Sequence, residues 1–487
     1  MGPSLKKINP IVFVVIYALT FSYIIFKVWN VPITHDEVPT TVYYNNFGIW
    51  EIMMYPDPIP NNHILNTLCT KFCLLLFGAE HWAVRLPNLL SFILFSIGAY
   101  RVIKSVIPKE SLFFIPAALL FIANPYLLDF FGLCRGYGMS AAICNLSVSY
   151  IISGFLNSNN KHIWLGFALS IFACYANFTL LVFWVAITIL TWFYFFSLHR
   201  KKKANLLKPT LILFLSCLAY LALISIPLYK MQTTEQFQFW TSSGFYEETI
   251  LPLIVHSKYD SKIFITSDFI AWFSIALVIF NSLYVLIKFK KSNYDLKVLS
   301  RPIAIATLII VLTALINILQ VWILDTPNLN GRTALFFYPL FVITLVSSYS
   351  LFTKGKMTGI KIGISILLTA LLTHHVVHTM KPYSVREWAY DANTIEVIDF
   401  MFHNLKGSKS KTSLASNWMF NPSFTFYAYT GKTSWLDLKQ YNTAINPNVG
   451  VEYYYVFEED YPILESNYEP VLKFENRCWL LKLKQEN

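Results

Sequence analysis

The sequence predicts a polytopic all-α membrane protein of about eleven transmembrane helices, followed by a small extracytoplasmic α/β domain. Three observations carry that expectation. Hydrophobic residues make up 55% of the 487-residue chain and charged residues 13%, and mean hydropathy is +0.50, far above a soluble chain of this length. Apolar stretches of roughly 20 residues, the length that crosses a bilayer at 1.5 Å rise per residue, recur from Pro10 onward. From Lys381 the hydropathy falls, and short amphipathic and alternating patterns replace these stretches.

Pro10–Trp29 is nearly all apolar. It is too long for the core of a signal peptide and lacks a small-residue cleavage site, so it reads as a retained anchor. Asn61–Phe77 is shorter and interrupted by Lys71, which suits a helix lying at the membrane interface. Further spans are expected at Trp82–Lys104, Ser111–Leu128, Gly136–Leu156, Ile163–Tyr175, Thr179–Leu198, Pro209–Leu228, Phe269–Ile287, Pro302–Leu324, Ala334–Phe352 and Lys361–Met380.

The formal net charge is +11, which in a soluble chain would raise nucleic acid as a partner. Here the cations fall in short loops between apolar segments, so membrane topology explains them. With Lys6 and Lys7 cytoplasmic, the same side collects Arg101, Lys104 and Lys109, then Lys161, Arg200–Lys203 with Lys208, Lys288–Lys291 and Lys354–Lys361. The opposite short loops, around Asp129, Asn177 and Asp325, hold only Arg135 and Arg332. This threading puts Asp36, Glu37 and the region from Lys381 outside the cytoplasm. A membrane domain over 1–380, with an outer loop at 30–81, is thus expected before a soluble α/β domain over 381–487. In the latter, Asp391–Leu405 and Pro422–Tyr429 read as helices, and Ser413–Trp418, Tyr453–Phe457 and Trp479–Leu483 as strands. Most cysteines lie in apolar stretches and Cys478 stands apart, which is neither a disulfide framework nor a zinc spacing.

Ionisable residues sit at span ends: Asp36, Glu37, Asp57, His63, Arg85, Asp129, Arg135, Asp325 and Arg332 ring one face. The deeper polar residues, Asn145, Asn317 and Gln320, are uncharged and read as helix–helix hydrogen bonds. A transporter would place ionisable groups near the midplane, so surface chemistry is the better reading. Asp36-Glu37, directly after the first span, can supply a general base to a hydroxyl arriving from the water side. Arg85 reads as fixing a helix start. His374, His375 and His378 share a helix face but lack an accompanying Cys or carboxylate, so they read as interfacial ends and no metal ligands are assigned. The Tyr453–Tyr455 run reads as strand in preference to a sugar-stacking platform.

The order of features resembles the GT-C superfamily of polyprenyl-phosphate-sugar-dependent glycosyltransferases, in the branch of protein O-mannosyltransferases and bacterial aminoarabinose–lipid A transferases. The residues that carry the resemblance are Asp36-Glu37 after the first span and Asn62-His63-Ile64-Leu65 opening a short helix. They continue with Leu76-Phe77-Gly78, Ala83-Val84-Arg85-Leu86-Pro87, Asn124-Pro125, Arg135-Gly136-Tyr137 and Gly331-Arg332 before Ala334–Pro339. The resemblance implies transfer of a sugar from a polyprenyl-phosphate carrier to an acceptor hydroxyl of a glycan, lipid or protein, with inversion. Asp36 is the implied base, and Glu37 orients it or raises its pKa as a like charge. Arg332, then Arg135, are the implied phosphate partners, with His63 and Asn62 beside them and Arg85, Asp129 and Tyr137 in support. A snorkelling anchor is the alternative for either arginine, and a helix cap or a partner of Arg135 for Asp129. The chain departs from the aminoarabinose-transferase pattern in carrying Asn62-His63 where a lysine stands. The donor is the lipid-linked sugar, and participation of a divalent metal is left open. Composition favours a bacterial inner membrane. The rival class is a lipid-carrier flippase or a non-catalytic scaffold.

Overall fold

The structure is a computed structural model that describes residues 2–234, 243–261, 265–352, 358–405 and 411–484. In chain order the helices are α1 (Gly2–Asn30), α2 (Ile49–Met53), α3 (Ile64–Phe77), α4 (His81–Val106), α5 (Phe114–Ile122), α6 (Pro125–Phe131), α7 (Gly136–Asn157), α8 (Asn160–Ala176) and α9 (Leu181–Lys202). They continue with α10 (Leu207–Thr233), α11 (Leu251–Lys258), α12 (Ser267–Lys291), α13 (Pro302–Leu324), α14 (Phe337–Phe352) and α15 (Thr358–Thr379). The C-terminal segment adds α16 (Thr394–Asn404), α17 (Asn421–Tyr429) and α18 (Tyr461–Leu464). Its strands are β1 (Thr412–Ser416), β2 (Leu436–Leu438), β3 (Tyr453–Phe457), β4 (Tyr468–Lys473) and β5 (Cys478–Leu483).

The chain is an integral membrane protein, and each apolar segment expected as a span is helical. Among the described residues, eight helices are long and apolar enough to cross a membrane, and the pair α5–α6, bent by 49°, makes a ninth if it is one span. That bend has a local cause. Pro125 opens α6, forcing Asn124 into an extended conformation from which its side chain accepts from Leu127 N at 3.0 Å. The expected spans α8 and α14 have 17 and 16 residues. At 1.5 Å per residue these reach about 24 to 26 Å, short of the roughly 30 Å hydrocarbon layer. The interfacial helix expected at Asn61–Phe77 is α3, of 14 residues. The cationic loop at Lys354 lies outside the described residues.

The chain divides into two compact units. The first comprises Met1–Ile24, Trp50–Asn66 and Pro87–Met380. Its helices pack through small residues, as helices in lipid do. A Cβ on Gly166 of α8 would lie 2.8 Å from Ile151 Cδ1 of α7, and Ser147 Oγ donates to Gly166 O at 2.6 Å. Asn145 donates to Phe95 O at 2.9 Å, joining α7 to α4. Asn317 and Gln320 differ from the helix–helix expectation. Their side chains bond to Asn328 Oδ1 and Thr326 Oγ1 in the loop after their own helix, both at 3.2 Å.

The second unit comprises Ile25–Ile49, Thr67–Leu86 and Lys381–Asn487. Its five strands order as β2-β1-β3-β5-β4, with β1 parallel to β2 and β3, and β5 antiparallel to β3 and β4. Because strand side chains alternate, Tyr453 and Tyr455 join Val397, Met401, Phe420 and Phe424 in one core. Tyr454 and Val456 face a second core with Leu464 and Tyr468. The strands expected at Ser413–Trp418, Tyr453–Phe457 and Trp479–Leu483 are β1, β3 and β5. The edge strands β2 and β4, the latter bulged beside Pro470, were not legible as strands.

Candidate active site

In the second unit the chain leaves α1 at Asn30 and turns through a single 3-10 turn, His35–Glu37. Glu37 is fully buried. Its Oε2 accepts from Thr34 N at 2.9 Å and from Thr34 Oγ1 at 3.0 Å. Arg85 of α4 grips it with both arms of the guanidinium, Nε to Oε1 at 2.9 Å and Nη2 to Oε2 at 2.6 Å. The same guanidinium donates to Val31 O and Pro32 O, each at 2.7 Å, and to Val28 O at 3.3 Å. Arg85 therefore satisfies carbonyls at and just beyond the end of α1, and its planar fork suits the bidentate pairing. Asp36, the neighbour of Glu37, is half-buried.

The other side of this turn is held by the C-terminal segment. Asp391 Oδ2 accepts from His35 N at 2.8 Å, and Met419 O lies 2.8 Å from His35 Nδ1. Ser423 Oγ donates to Ile33 O at 2.8 Å, and Tyr427 Oη accepts from Ile33 N at 3.2 Å. Lys27 Nζ, near the end of α1, donates to Ser384 O at 2.8 Å. No local sequence pattern signals Asp391, Ser423 or Tyr427, because each acts on chain more than 350 positions away, as in the separation of 356 between His35 and Asp391.

The first unit holds Asn62, His63, Arg135 and Arg332. Asn62 Nδ2 donates to Ile52 O at 3.1 Å, and the His63 ring meets the Tyr137 ring edge-on at 4.9 Å. Arg135 lies over the same Tyr137 ring at 5.7 Å. Its guanidinium bonds to the Asn61 side-chain oxygen and lies 3.4 Å from Asn61 O. Gly136 permits this closeness: a Cβ there would sit 2.2 Å from Ala176 O and 2.6 Å from His63 Cβ. Arg332 is half-buried in a 3-10 turn, Gly331–Ala334, whose first residue has φ +51°. Burial, then the positive charges of Arg135 and Arg332, hold His63 well below the usual imidazole range, so it is neutral. Its Nε2 is buried, with no hydrogen-bond partner among the described residues.

Asp129 is buried in α6 and accepts from Tyr259 Oη at 2.6 Å. Tyr259 is itself buried, at φ +51° just beyond α11, and His256 of α11 stacks on Tyr126 at 5.0 Å. Neither Tyr259 nor Asn61 stood out from the sequence. The rings of His374 and His378 stack at 4.0 Å, and among the described residues no group of three or more His, Cys, Asp or Glu is placed to hold a metal ion.

No protein-family model matches the chain, and no curated protein matches it. Solved structures do. ArnT from Cupriavidus metallidurans bound to undecaprenyl phosphate is 12% identical over 97% of both chains, with a TM-score of 0.43. The archaeal oligosaccharyltransferase AglB from Archaeoglobus fulgidus, in complex with an inhibitory peptide and a dolichol-phosphate, is 10% identical over 99% of this chain and 74% of its own, with a TM-score of 0.45. The arabinosyltransferase EmbB from Mycobacterium smegmatis is 10% identical over 78% of this chain and 41% of its own, with a TM-score of 0.36.

Proposed function

We propose that the chain is a membrane glycosyltransferase that moves a sugar from a polyprenyl-phosphate carrier to an acceptor hydroxyl outside the cytoplasm. Asp36 takes the proton of that hydroxyl as its oxygen attacks the anomeric carbon. The bond from that carbon to the carrier phosphate breaks, and the configuration inverts. The leaving phosphate carries the negative charge, which Arg135 and Arg332 meet, while neutral His63 donates through Nε2–H. Glu37 and Arg85 hold the turn that presents Asp36 and do not themselves react. Asp129, bound by Tyr259, and Tyr137, which carries the His63 and Arg135 contacts, are supporting residues; Asn62 fixes the chain entering His63.

The observation that supports this reading is His63, a buried, neutral ring with a nitrogen that has no partner among the described residues, in the field of two arginines. A buried polar atom without a partner is unfavourable by about 1–3 kcal/mol, and an anion bound there would supply what it lacks. The asymmetry of Lys and Arg between loops supports a cytoplasmic N-terminus and an outer C-terminal domain, 381–487, after a membrane domain, 1–380. The test is sugar transfer in membranes supplied with a radiolabelled polyprenyl-phosphate sugar. Asp36→Asn should abolish transfer while carrier binding persists. Transfer by this variant at the wild-type rate would remove Asp36 as the base.

A further inference from the structure

Asp391 is 1% exposed and Ser423 fully buried. Asp391 Oδ2 lies 2.8 Å from His35 N, Asp391 Oδ1 lies 2.8 Å from Ser423 Oγ, and Ser423 Oγ lies 2.8 Å from Ile33 O. Counting hydrogens decides how these contacts are filled. The His35 N–H needs an acceptor, and Oδ2 supplies it. Ile33 O can only accept, and the Ser423 hydroxyl carries a single hydrogen. If that hydrogen goes to Ile33 O, the contact between Ser423 Oγ and Asp391 Oδ1 needs its hydrogen from Asp391. A carboxylic acid fills every contact once. An ionised carboxylate leaves two acceptors competing for one hydrogen and buries a charge that no lysine or arginine among the described residues pairs with.

We propose that Asp391 is a positioning residue that works as a neutral acid, donating to Ser423, which donates to Ile33 O, while accepting from His35 N. This relay fixes the main chain on both sides of Thr34 and so sets where Asp36 stands; it rests on the reading of Asp36 as the base. The surroundings favour the neutral form. Burial pushes the Asp391 carboxyl well above the usual carboxylate range, the bonds from His35 N and Ser423 oppose that rise, and the negative charges of Glu37 and Asp36 add to it. Tyr427, Tyr455 and Cys478 also lie within its field, and none of the three carries a positive charge, while His35 meets it through its main-chain N–H. A carboxyl raised in the folded state contributes stability that is fully present below its unfolded value near 3.9 and is lost as pH rises through the folded value.

Asparagine is the isostere of the acid form, since its Nδ2–H can serve Ser423 while its Oδ1 accepts from His35. The experiment compares the purified full-length wild type with Asp391→Asn, Asp391→Ala and Ser423→Ala, by unfolding temperature between about pH 6 and 9 and by transfer kinetics. Asp391→Asn should keep most of the transfer rate and lose the decline in stability that the wild type shows as pH rises. Asp391→Ala and Ser423→Ala should lower kcat by about 100-fold through misplacement of Asp36, with the KM for the carrier little changed. An Asp391→Asn variant as impaired as Asp391→Ala, or one whose stability falls with pH just as the wild type's does, overturns the neutral acid. Wild-type kcat in Asp391→Ala overturns the positioning role. If Asp391→Ala fails to fold, Asp391→Asn and Ser423→Ala decide. Should Asp36→Asn transfer like wild type, the base assignment fails, whereas the pH dependence of unfolding still reports on Asp391.

Discussion

Asp36 and Glu37 look alike in the sequence and are unlike in the molecule. A 3-10 turn has about three residues per turn, so consecutive side chains diverge by roughly 120°. Glu37 turns inward to Arg85 while Asp36 stays half-buried. The pairing makes Arg85 a strong stability position. Arg85→Met should destabilise the protein by about 3–5 kcal/mol, because it leaves a buried carboxylate uncompensated, and adding Glu37→Leu should recover much of that loss. Thermal unfolding in detergent measures both. His63 gives a pH signature of the opposite sense to Asp391. Its folded pKa is depressed, so its contribution is present above the unfolded value near 6.5 and is lost as pH falls below it. His63→Gln should flatten the acid side of the unfolding-temperature profile. Gly136→Ala would force a Cβ against Ala176 O and His63 Cβ, displacing the His63 ring from Tyr137. The expected result is a rise of about tenfold in carrier KM with kcat less affected, about 1.4 kcal/mol of lost binding.

Among the elements, the long helices were legible because each buries or offers to lipid an unbroken apolar stretch that no turn chemistry interrupts. Some shorter elements were not. α11 has 8 residues and β2 has 3, too few for a period to show, and β4 carries a proline within the strand. Yet α11 matters to the site, since the residue just past it, Tyr259, holds Asp129 of α6. Tyr259→Phe removes that donor, with a stability loss of about 1–3 kcal/mol. Amide hydrogen exchange should locate the loosening in Leu251–Ser261 and α6, and leave α7 and α13 unchanged. Equal protection across all of these segments in the variant would mean that Asp129 does not depend on Tyr259. The site itself was legible only as a set of residue types at span ends. Which carboxylate is sequestered, and that Arg85 serves the exit of α1, are facts of tertiary packing that local pattern does not encode.

At the scale of the whole molecule, the second unit is assembled from stretches far apart in sequence, Ile25–Ile49, Thr67–Leu86 and Lys381–Asn487. A chain ending at Met380 retains Asp36, Glu37, Arg85, Arg135 and Arg332 but lacks Asp391, Ser423 and Tyr427. It should insert in the membrane, transfer no sugar, and expose Val31–Thr41 to protease, whereas the full chain resists cleavage there. Protection of that segment in the truncated chain would show that Arg85 alone suffices to hold it.

The separation of 356 positions between His35 and Asp391 also has a meaning in time. At about 5–20 residues per second of synthesis, the turn bearing Asp36 emerges on the order of tens of seconds before Asp391 exists, and before Ser423 and Tyr427 beyond it. Through that interval the ribosome still holds the chain and the turn lacks this support, so under the proposed function the nascent protein would not yet transfer sugar. Competence would arrive with the final stretch of polypeptide, so an interrupted translation product would be inert by construction.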